Sequence, residues 1–317
     1  MDMRRMWRYR TRILPTDSMG ELTHGHPIGG CAILSYLRMD YSTYSGIALP
    51  GKSNTPLIGQ INFFPGDQNA RLSFIAPDNS LESGTILALM DHLCWESGAR
   101  GALRLLIESD EDHPLVEMLR FSSFNIYSKQ QIWKFTAAPQ TGAPSTTSWR
   151  PFQPIDQHNL NSLYHAVVPP LIQSAEGTDK KPFHGLVHYS DGELQAFAEM
   201  MAGPRGIYLI PVIHPNIREV ESLLVDLITN INFSPARPLY IAIRDHQCWL
   251  NNIFDRSGAE AGNRKALLVR HLVKQQKIGI PITLRNVLNG HRTETTHSFT
   301  PHASIPDEIS NDIIATK

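Results

Sequence analysis

The sequence predicts a mixed α/β protein built from two diverged copies of one unit. Three observations indicate this fold class. The length of 317 residues exceeds what one hydrophobic core usually serves. The stretch 137–148 is rich in Pro, Ala, Ser and Thr and contains no large apolar side chain, which is typical of a linker. The same order of helix, strand, short helix and strand can be predicted on both sides of that stretch.

The first copy shows this order most clearly. Apolar residues with helical spacing predict a buried helix face within the segment ESGTILALMDHLCWESGA. A short apolar strand follows at 103–107, then a short helix in HPLVEMLRFSSF, then a strand in NIYSKQQIWKF with alternating apolar positions. A further strand at 71–76 precedes the first helix. The apolar positions of that helix are Ile86, Leu89, Met90, Leu93 and Cys94.

The second copy repeats these elements in VESLLVDLITNINF, PLYIAIRD, CWLNNIFDRSGA and KALLVRHLV. The alignment matches Leu87 with Leu223, and the strand 71–76 with 207–213. The openings 13–17 and 152–156 also correspond, and Asp156 suits a helix N-cap. A period of this length indicates duplicated domains and not a solenoid. The predicted parts are a first copy (1–136), a linker (137–148), a second copy (149–277) and a mobile tail (278–317).

The order of these elements resembles the second half of the acyl-CoA-dependent N-acetyltransferase (GNAT) fold. In that family, a strand leads into a helix whose first turn binds the pyrophosphate of acetyl-CoA, and RLSFIAPDN followed by LESGTILALM has this place here. The resemblance implies two tandem GNAT-like domains. It also implies that acetyl-CoA would lie in the V between the two central strands. The acetyl-CoA contacts that it implies are Ile75, Ala76, Asn79, Glu82, Ser83 and Gly84.

The pyrophosphate loop of the family is a six-residue stretch with glycine at its fourth position. The corresponding first-copy stretch, 79–84, has Glu82 at that position, and a carboxylate repels pyrophosphate. The second-copy stretch aligns with 215–220, which contains no glycine and begins with Pro215, a residue without an N–H. Arg218 could bind phosphate there by charge instead.

The resemblance also implies positions for the catalytic groups. Glu108 or Asp110, after the strand at 103–107, would be the base that deprotonates an amine. These two residues belong to a cluster with Glu111, Asp112 and His113, and the other interpretation of this cluster is a solvated loop. Many family members carry a tyrosine that protonates the CoA thiolate, but the corresponding residues here are Leu119 and Phe254. Tyr127, Tyr240 and Asp255 are the candidate substitutes, and the sequence selects none of them.

Other signals are weaker. Formal net charge is −1, so no global field attracts nucleic acid, and only the run Arg4, Arg5, Arg8, Arg10 and Arg12 offers a local basic patch. His24 and His26 have a spacing that can serve a metal, but no third ligand is indicated, and we expect no metal. Asp245 and His246 could form an acid/base pair or a surface turn. Three cysteines without a CxxC pair, and no long apolar run, lead us to expect a cytoplasmic protein without membrane contact.

Two functional hypotheses follow from the resemblance. In the first, the protein is a divergent N-acetyltransferase that transfers an acyl group from acetyl-CoA to the amine of a small molecule or a protein. In the second, it is a non-catalytic GNAT-like protein whose degenerate CoA loops leave a scaffold for binding a ligand or a partner protein. A third, a nucleic-acid-associated protein that uses the basic amino-terminal run, is disfavoured by the charge balance.

Overall fold

A computed structural model describes residues 9, 11–27, 42–49, 55–63, 67–139, 148–177 and 184–272. Most of the predicted linker, all of the predicted tail, and Arg4, Arg5, Arg8 and Arg10 lie outside these residues. The strands are β1 (Leu14–Pro15), β2 (Ser42–Ala48), β3 (Leu57–Phe63), β4 (Asn69–Ala76), β5 (Arg104–Asp110), β6 (Asn125–Phe135), β7 (Trp149–Pro151), β8 (Gly185–Ser190), β9 (Glu193–Ala202), β10 (Ile207–Ile213), β11 (Leu239–Arg244) and β12 (Glu260–His271). The α-helices are α1 (Ser18–His24), α2 (Ser83–Ala99), α3 (Leu115–Phe121), α4 (Gln157–Val167), α5 (Pro170–Glu176), α6 (Val220–Thr229) and α7 (Asn251–Arg256).

All twelve strands belong to one mixed sheet. The order is β2, β3, β4, β5, β12, β6, β11, β10, β9, β8, β7, and β1 pairs with β4 outside this path. Only β4 with β5, and β10 with β11, run parallel; the other neighbours are antiparallel. Towards the centre, β2, β3, β4 and β5 on one side and β8, β9, β10 and β11 on the other occur in the same order. The predicted fold class, a mixed α/β sheet made of two similar copies, is therefore confirmed.

The final strand of each copy lies in the sheet of the other copy. β12 pairs on one edge with β5, where Leu268 is opposite Ile107, and on its other edge with β6. β6 in turn pairs with β11, where Ile132 is opposite Ala242. This exchange was not predicted, because the hydrophobic pattern of a strand shows which face is buried and not which strand is its neighbour.

Helices α2 and α3 cover one face of the first half of the sheet, and α6 and α7 belong to the hydrophobic cluster of the second half. The predicted buried positions of α2, from Ile86 to Cys94, are all buried. The predicted match of Leu87 with Leu223 is wrong by one residue, because Leu87 is 43% exposed whereas Leu223 is buried. Ile86 is the true counterpart of Leu223, since their N–H groups make equivalent helical hydrogen bonds to Glu82 and Glu219.

The opposite face carries α1, α4 and α5. Helix α1 follows the first-copy strand β1, yet it packs on β9 and β10 of the second copy. The N–H of Arg205 donates to the carbonyl of Thr23 at 2.9 Å, and Gly203 lies so close to that carbonyl that a Cβ would collide with it. The two matched openings differ in position. The N–H of Phe152 donates to the Gly185 carbonyl of β8, close to the sheet edge, whereas Leu14 and Pro15 pair with β4.

Candidate functional site

The two parallel strand pairs diverge soon after they begin. In the first copy, pairing is limited to Asn69–Arg71 with Arg104–Leu106. Beyond these residues β4 and β5 separate, and the space between 72–76 and 107–110 is called the first wedge here. In the second copy, pairing is limited to Ile207–Leu209 with Leu239–Ile241, and the space beyond is the second wedge. A wedge of this kind is where the sequence resemblance places acetyl-CoA.

The first wedge contains the chain's own amino-terminal segment, residues 12–16. Leu14 and Pro15 lie opposite Ile75 and Phe74 of β4. The N–H of Thr16 donates to Ser73 at 3.0 Å, its hydroxyl donates to the Leu72 carbonyl at 2.8 Å, and its own carbonyl accepts from the Glu108 N–H at 3.0 Å. Segment 12–16 therefore bridges β4 and β5 as a further strand.

The predicted acetyl-CoA residues fall into two groups. Ile75 and Ala76 lie on β4, are buried, and are next to segment 12–16, where the Arg12 carbonyl accepts from the Asp78 N–H at 3.1 Å. Asn79, Glu82, Ser83 and Gly84 lie together just before and within the first turn of α2, and all four residues are exposed. Glu82 is the N-cap residue, although its side chain makes no capping hydrogen bond. A Cβ added to Gly84 would meet nothing within 4 Å, so there is free space at this helix end.

In the second wedge, a glutamine side chain and a proline occupy the edge of β10. The buried side chain of Gln247 donates from Nε2 to the carbonyl of Ile213 at 2.9 Å. The N–H of Ile207 donates to Pro238 on the same edge of β10. Because alternate residues of a strand turn their backbone groups to the same edge, Pro211 also faces the wedge, and it has no N–H to offer there.

The first turn of α6 corrects the predicted alignment of the pyrophosphate stretch. Glu219 is the N-cap residue of α6, as Glu82 is of α2, so the stretch corresponds to 216–221 and not to 215–220. Pro215 and Arg218 are exposed. Glu221 adds a second carboxylate in the first turn and pairs with Arg256 at 3.1 Å. Both helices therefore begin with negative charge where the resemblance implies a phosphate.

Glu108 and Asp110 lie on the sheet face that carries α1. A carboxylate oxygen of Glu108 accepts from the Ser18 N–H and from Gln130 Nε2, each at 3.2 Å. Asp110 pairs with Lys265 at 2.8 Å. Burial raises the pKa of Asp110, but the hydrogen bond and charge of Lys265 outweigh it and hold this pKa below its usual value. A base is most effective with a pKa near the working pH, so Asp110 is poorly tuned for proton abstraction.

The two positions implied for the general acid are filled by apolar packing. Leu119 and Phe254 are each completely buried, and the Phe254 ring lies 6.1 Å from Trp133 and 5.9 Å from Phe135 between ring centres. Of the substitutes considered, Asp255 is exposed, and burial raises the pKa of Tyr127, whose hydroxyl donates to Glu176 at 2.9 Å. The structure places Tyr240 near the surface beside a separate cleft.

Two other sets of residues singled out in the sequence have the following contacts. His24 bonds through Nδ1 to the Thr23 hydroxyl at 2.7 Å, and within the described ranges no three metal-ligating side chains come together. Asp245 pairs with Arg264 at 2.9 Å and not with His246. Burial, together with the charge of Arg244, lowers the pKa of His246 to about 4.

Sequence reasoning missed a buried polar group at the centre of the molecule. Arg244 pairs with Glu176 at 2.6 Å, and Tyr127 donates to the same Glu176 oxygen. The Glu176 carbonyl accepts from Asn69 at 2.5 Å, so the end of α5 is tied to strands of both copies. No local pattern marks these residues, because each is a lone polar residue in an otherwise ordinary element.

A cleft of about 170 Å³ between α1 and the strands β6, β11 and β12 was also missed. It can be found only after the strand exchange is known, because residues from four separate parts of the chain meet there. The residues that line it are Ser18, Glu21, Leu22, Ile132, Lys134, Tyr240, Glu260, Gly262, Asn263 and Lys265.

Among the helices that the structure describes, none has the length and apolar character required to cross a membrane. Neither a protein-family model nor a curated protein sequence matches the chain. Three solved structures with similarity to it are GNAT proteins. A GCN5-related N-acetyltransferase from Sphaerobacter thermophilus has a TM-score of 0.48 and 9% identity, over 84% of this chain and 99% of that one. A GCN5-related N-acetyltransferase from Kribbella flavida has a TM-score of 0.47 and 14% identity, over 75% of this chain and 92% of that one. A tandem GNAT protein from the clavulanic acid biosynthesis pathway has a TM-score of 0.43 and 12% identity, over 77% of this chain and 88% of that one.

Proposed function

We propose that the protein is a non-catalytic GNAT-like protein that serves as a scaffold for binding a ligand or a partner protein. The observation that carries this proposal is segment 12–16 in the first wedge. The resemblance implies that acetyl-CoA lies in the V between the two central strands, and in that space β4 already pairs with Leu14 and Pro15.

The energy of displacing the segment supports the proposal. Besides the backbone pairing of β1 with β4, four hydrogen bonds join it to its surroundings: Asp78 to Arg12, Thr16 to Ser73, Thr16 to Leu72, and Glu108 to Thr16. At a net contribution of about 1 kcal/mol for each of these four, opening the wedge costs at least about 4 kcal/mol. That cost weakens the apparent affinity of any ligand that needs the open wedge by roughly a thousandfold, from micromolar to millimolar.

The remaining features agree with the loss of acyl transfer. In the second wedge, Pro211 offers no donor and the Ile213 carbonyl is already bound by Gln247. Glu82 and Glu219 place a carboxylate at the start of each helix that would face pyrophosphate. Such a charge at ~4 Å from a phosphate costs at least about 1 kcal/mol in water and more in a site that excludes water.

A divergent N-acetyltransferase that uses acetyl-CoA and an amine, in the cytoplasm, is the second candidate. One observation favours it, the free space beside Gly84 at the start of α2. In that case Glu108, which contacts the α1 amino terminus, would be the base, because Asp110 is held by Lys265.

Calorimetric titration with acetyl-CoA tests the proposal. We expect the wild type to show no binding at micromolar concentrations and no release of CoA in the presence of amines. Glu82→Gly removes the repelling charge but leaves segment 12–16 in place, so this variant should not gain binding either. Micromolar binding by the wild type, or turnover with any amine, would contradict the proposal. Binding gained by Glu82→Gly alone would show that charge, and not the filled wedge, had blocked the site.

A further inference from the structure

The cleft between α1 and strands β6, β11 and β12 lies outside the space between the diverging strands of either copy. Its apolar surface comes from Leu22 on α1, Ile132 on β6 and Tyr240 on β11. Its volume of about 170 Å³ is close to that of an engineered cavity of about 150 Å³ that holds benzene. The cleft therefore fits the body of a ligand with one small ring or an equivalent branched chain.

The two cations of the cleft are already neutralised. Lys134 pairs with Glu260 at 2.9 Å, and Lys265 pairs with Asp110 at 2.8 Å. The carboxylate of Glu21 differs from these groups. Within the part of the chain that the structure describes, it accepts no hydrogen bond and forms no ion pair within 4 Å. A ligand that enters the cleft therefore meets one anion whose charge is not matched by a direct partner.

The surroundings of Glu21 add further negative charge. The carboxylates that act on it are Asp17 at the start of α1 and Asp110 and Glu108 on β5, whereas Lys265 on β12 acts on it as an opposing charge. Burial raises the pKa of Glu21, Lys265 lowers it, and the three neighbouring carboxylates raise it again, so that the pKa lies above its usual value. A positive group beside Glu21 would relieve both the burial and the repulsion.

We propose that this cleft binds a small organic cation, with its charged group on Glu21 and its apolar body on Leu22, Ile132 and the ring of Tyr240. The anion, the apolar floor and the aromatic face together form the arrangement that recognises a protonated amine attached to a small hydrophobic group. The inference rests on the proposed function, since it names the class of ligand that a non-catalytic scaffold would bind. It involves no transfer step and no acetyl-CoA.

Benzylamine is a suitable probe, because it is a cation of the required size, and benzyl alcohol is its neutral counterpart. Titration of each into the full chain without acetyl-CoA should show one site that binds benzylamine roughly tenfold to a hundredfold more tightly than benzyl alcohol, as expected for one charged hydrogen bond. Glu21→Gln should remove that preference and leave benzyl alcohol binding unchanged. Glu193→Gln, which removes the same charge from an exposed side chain on β9, is the matched control and should change neither affinity.

Equal affinity for the two probes, an equal loss in Glu21→Gln and Glu193→Gln, or no binding of benzylamine at 10 mM would each overturn the inference. The outcome is separate from that of the acetyl-CoA titration. If acetyl-CoA bound tightly and benzylamine still required Glu21, the non-catalytic proposal would fail while the cation site remained. If neither bound, the cation site would fail while the non-catalytic proposal stood.

Discussion

Replacing Glu176 by glutamine removes the negative charge that faces Arg244 inside the molecule. Both side chains are only 8% exposed, and the guanidinium Nη2 lies 2.6 Å from the carboxylate. The other terminal nitrogen of Arg244, Nη1, is buried and has no hydrogen-bond partner among the described residues. The buried charge of Arg244 is therefore balanced mostly by Glu176. Removal of one partner of such a pair typically lowers the stability of the folded state by about 3–5 kcal/mol.

Glutamine can still accept hydrogen bonds from Tyr127 and Arg244, so we expect the lower end of this range, about 3 kcal/mol. For a chain of this size that loss corresponds to a fall in Tm of roughly 6–12 °C. Urea unfolding followed by circular dichroism measures it. The control is Glu260→Gln, which breaks the exposed pair with Lys134 and should cost less than about 1 kcal/mol. If both variants lose the same stability, the interior pair does not have the role described here.

Three further predictions concern single positions. Burial raises the pKa of Asp17 to about 6 from 3.8, so the folded state holds a proton that the unfolded chain has lost, and stability falls as the pH rises from about 4 to about 6. Asp17→Asn keeps the N-cap and should flatten this dependence in urea midpoints measured from pH 4 to 7; a parallel curve would contradict the reasoning. Phe254→Tyr should lower the free energy of unfolding by about 1–3 kcal/mol, because the added hydroxyl would be buried among rings. The variant should gain no acetyltransferase activity. A variant that is as stable as the wild type and releases CoA would refute both parts. Gly203→Ala should lower Tm, because its Cβ would collide with the Thr23 carbonyl, whereas Gly84→Ala, with free space, should not; equal Tm values would show that α1 does not pack as described.

The sequence was sufficient for the elements whose burial has a regular period. The buried face of α2 from Ile86 to Cys94 is as predicted, and so is the order of strands and helices in both copies. Leu119 and Phe254, at the positions that the resemblance implies for the general acid, are both buried in apolar clusters. These features depend on local spacing, which a sequence records directly.

The rest depends on contacts between distant parts of the chain. No pattern in segment 12–16 indicates that it pairs with β4. Its second-copy counterpart begins at β7, which pairs with β8 at the edge of the sheet. The predicted alignment of 79–84 with 215–220 was wrong by one residue, since Glu82 corresponds to Glu219. The two loops differ too much in sequence for this error to be detected without the structure. Glu21 was not considered, because its importance comes from a cleft that exists only when β12 lies beside β6.

The exchange of final strands has a consequence for the order in which the chain can fold during synthesis. Among the described strands, β12 is the one that pairs with the edge of β5 facing away from β4, where Lys265 is opposite Asp110. The first half therefore keeps an exposed strand edge until nearly the whole described chain has left the ribosome. Pairings so distant in sequence slow folding, and an open edge invites association with other chains in the meantime. We expect fragments that end after β6 to aggregate, and the full chain to refold slowly and as one unit.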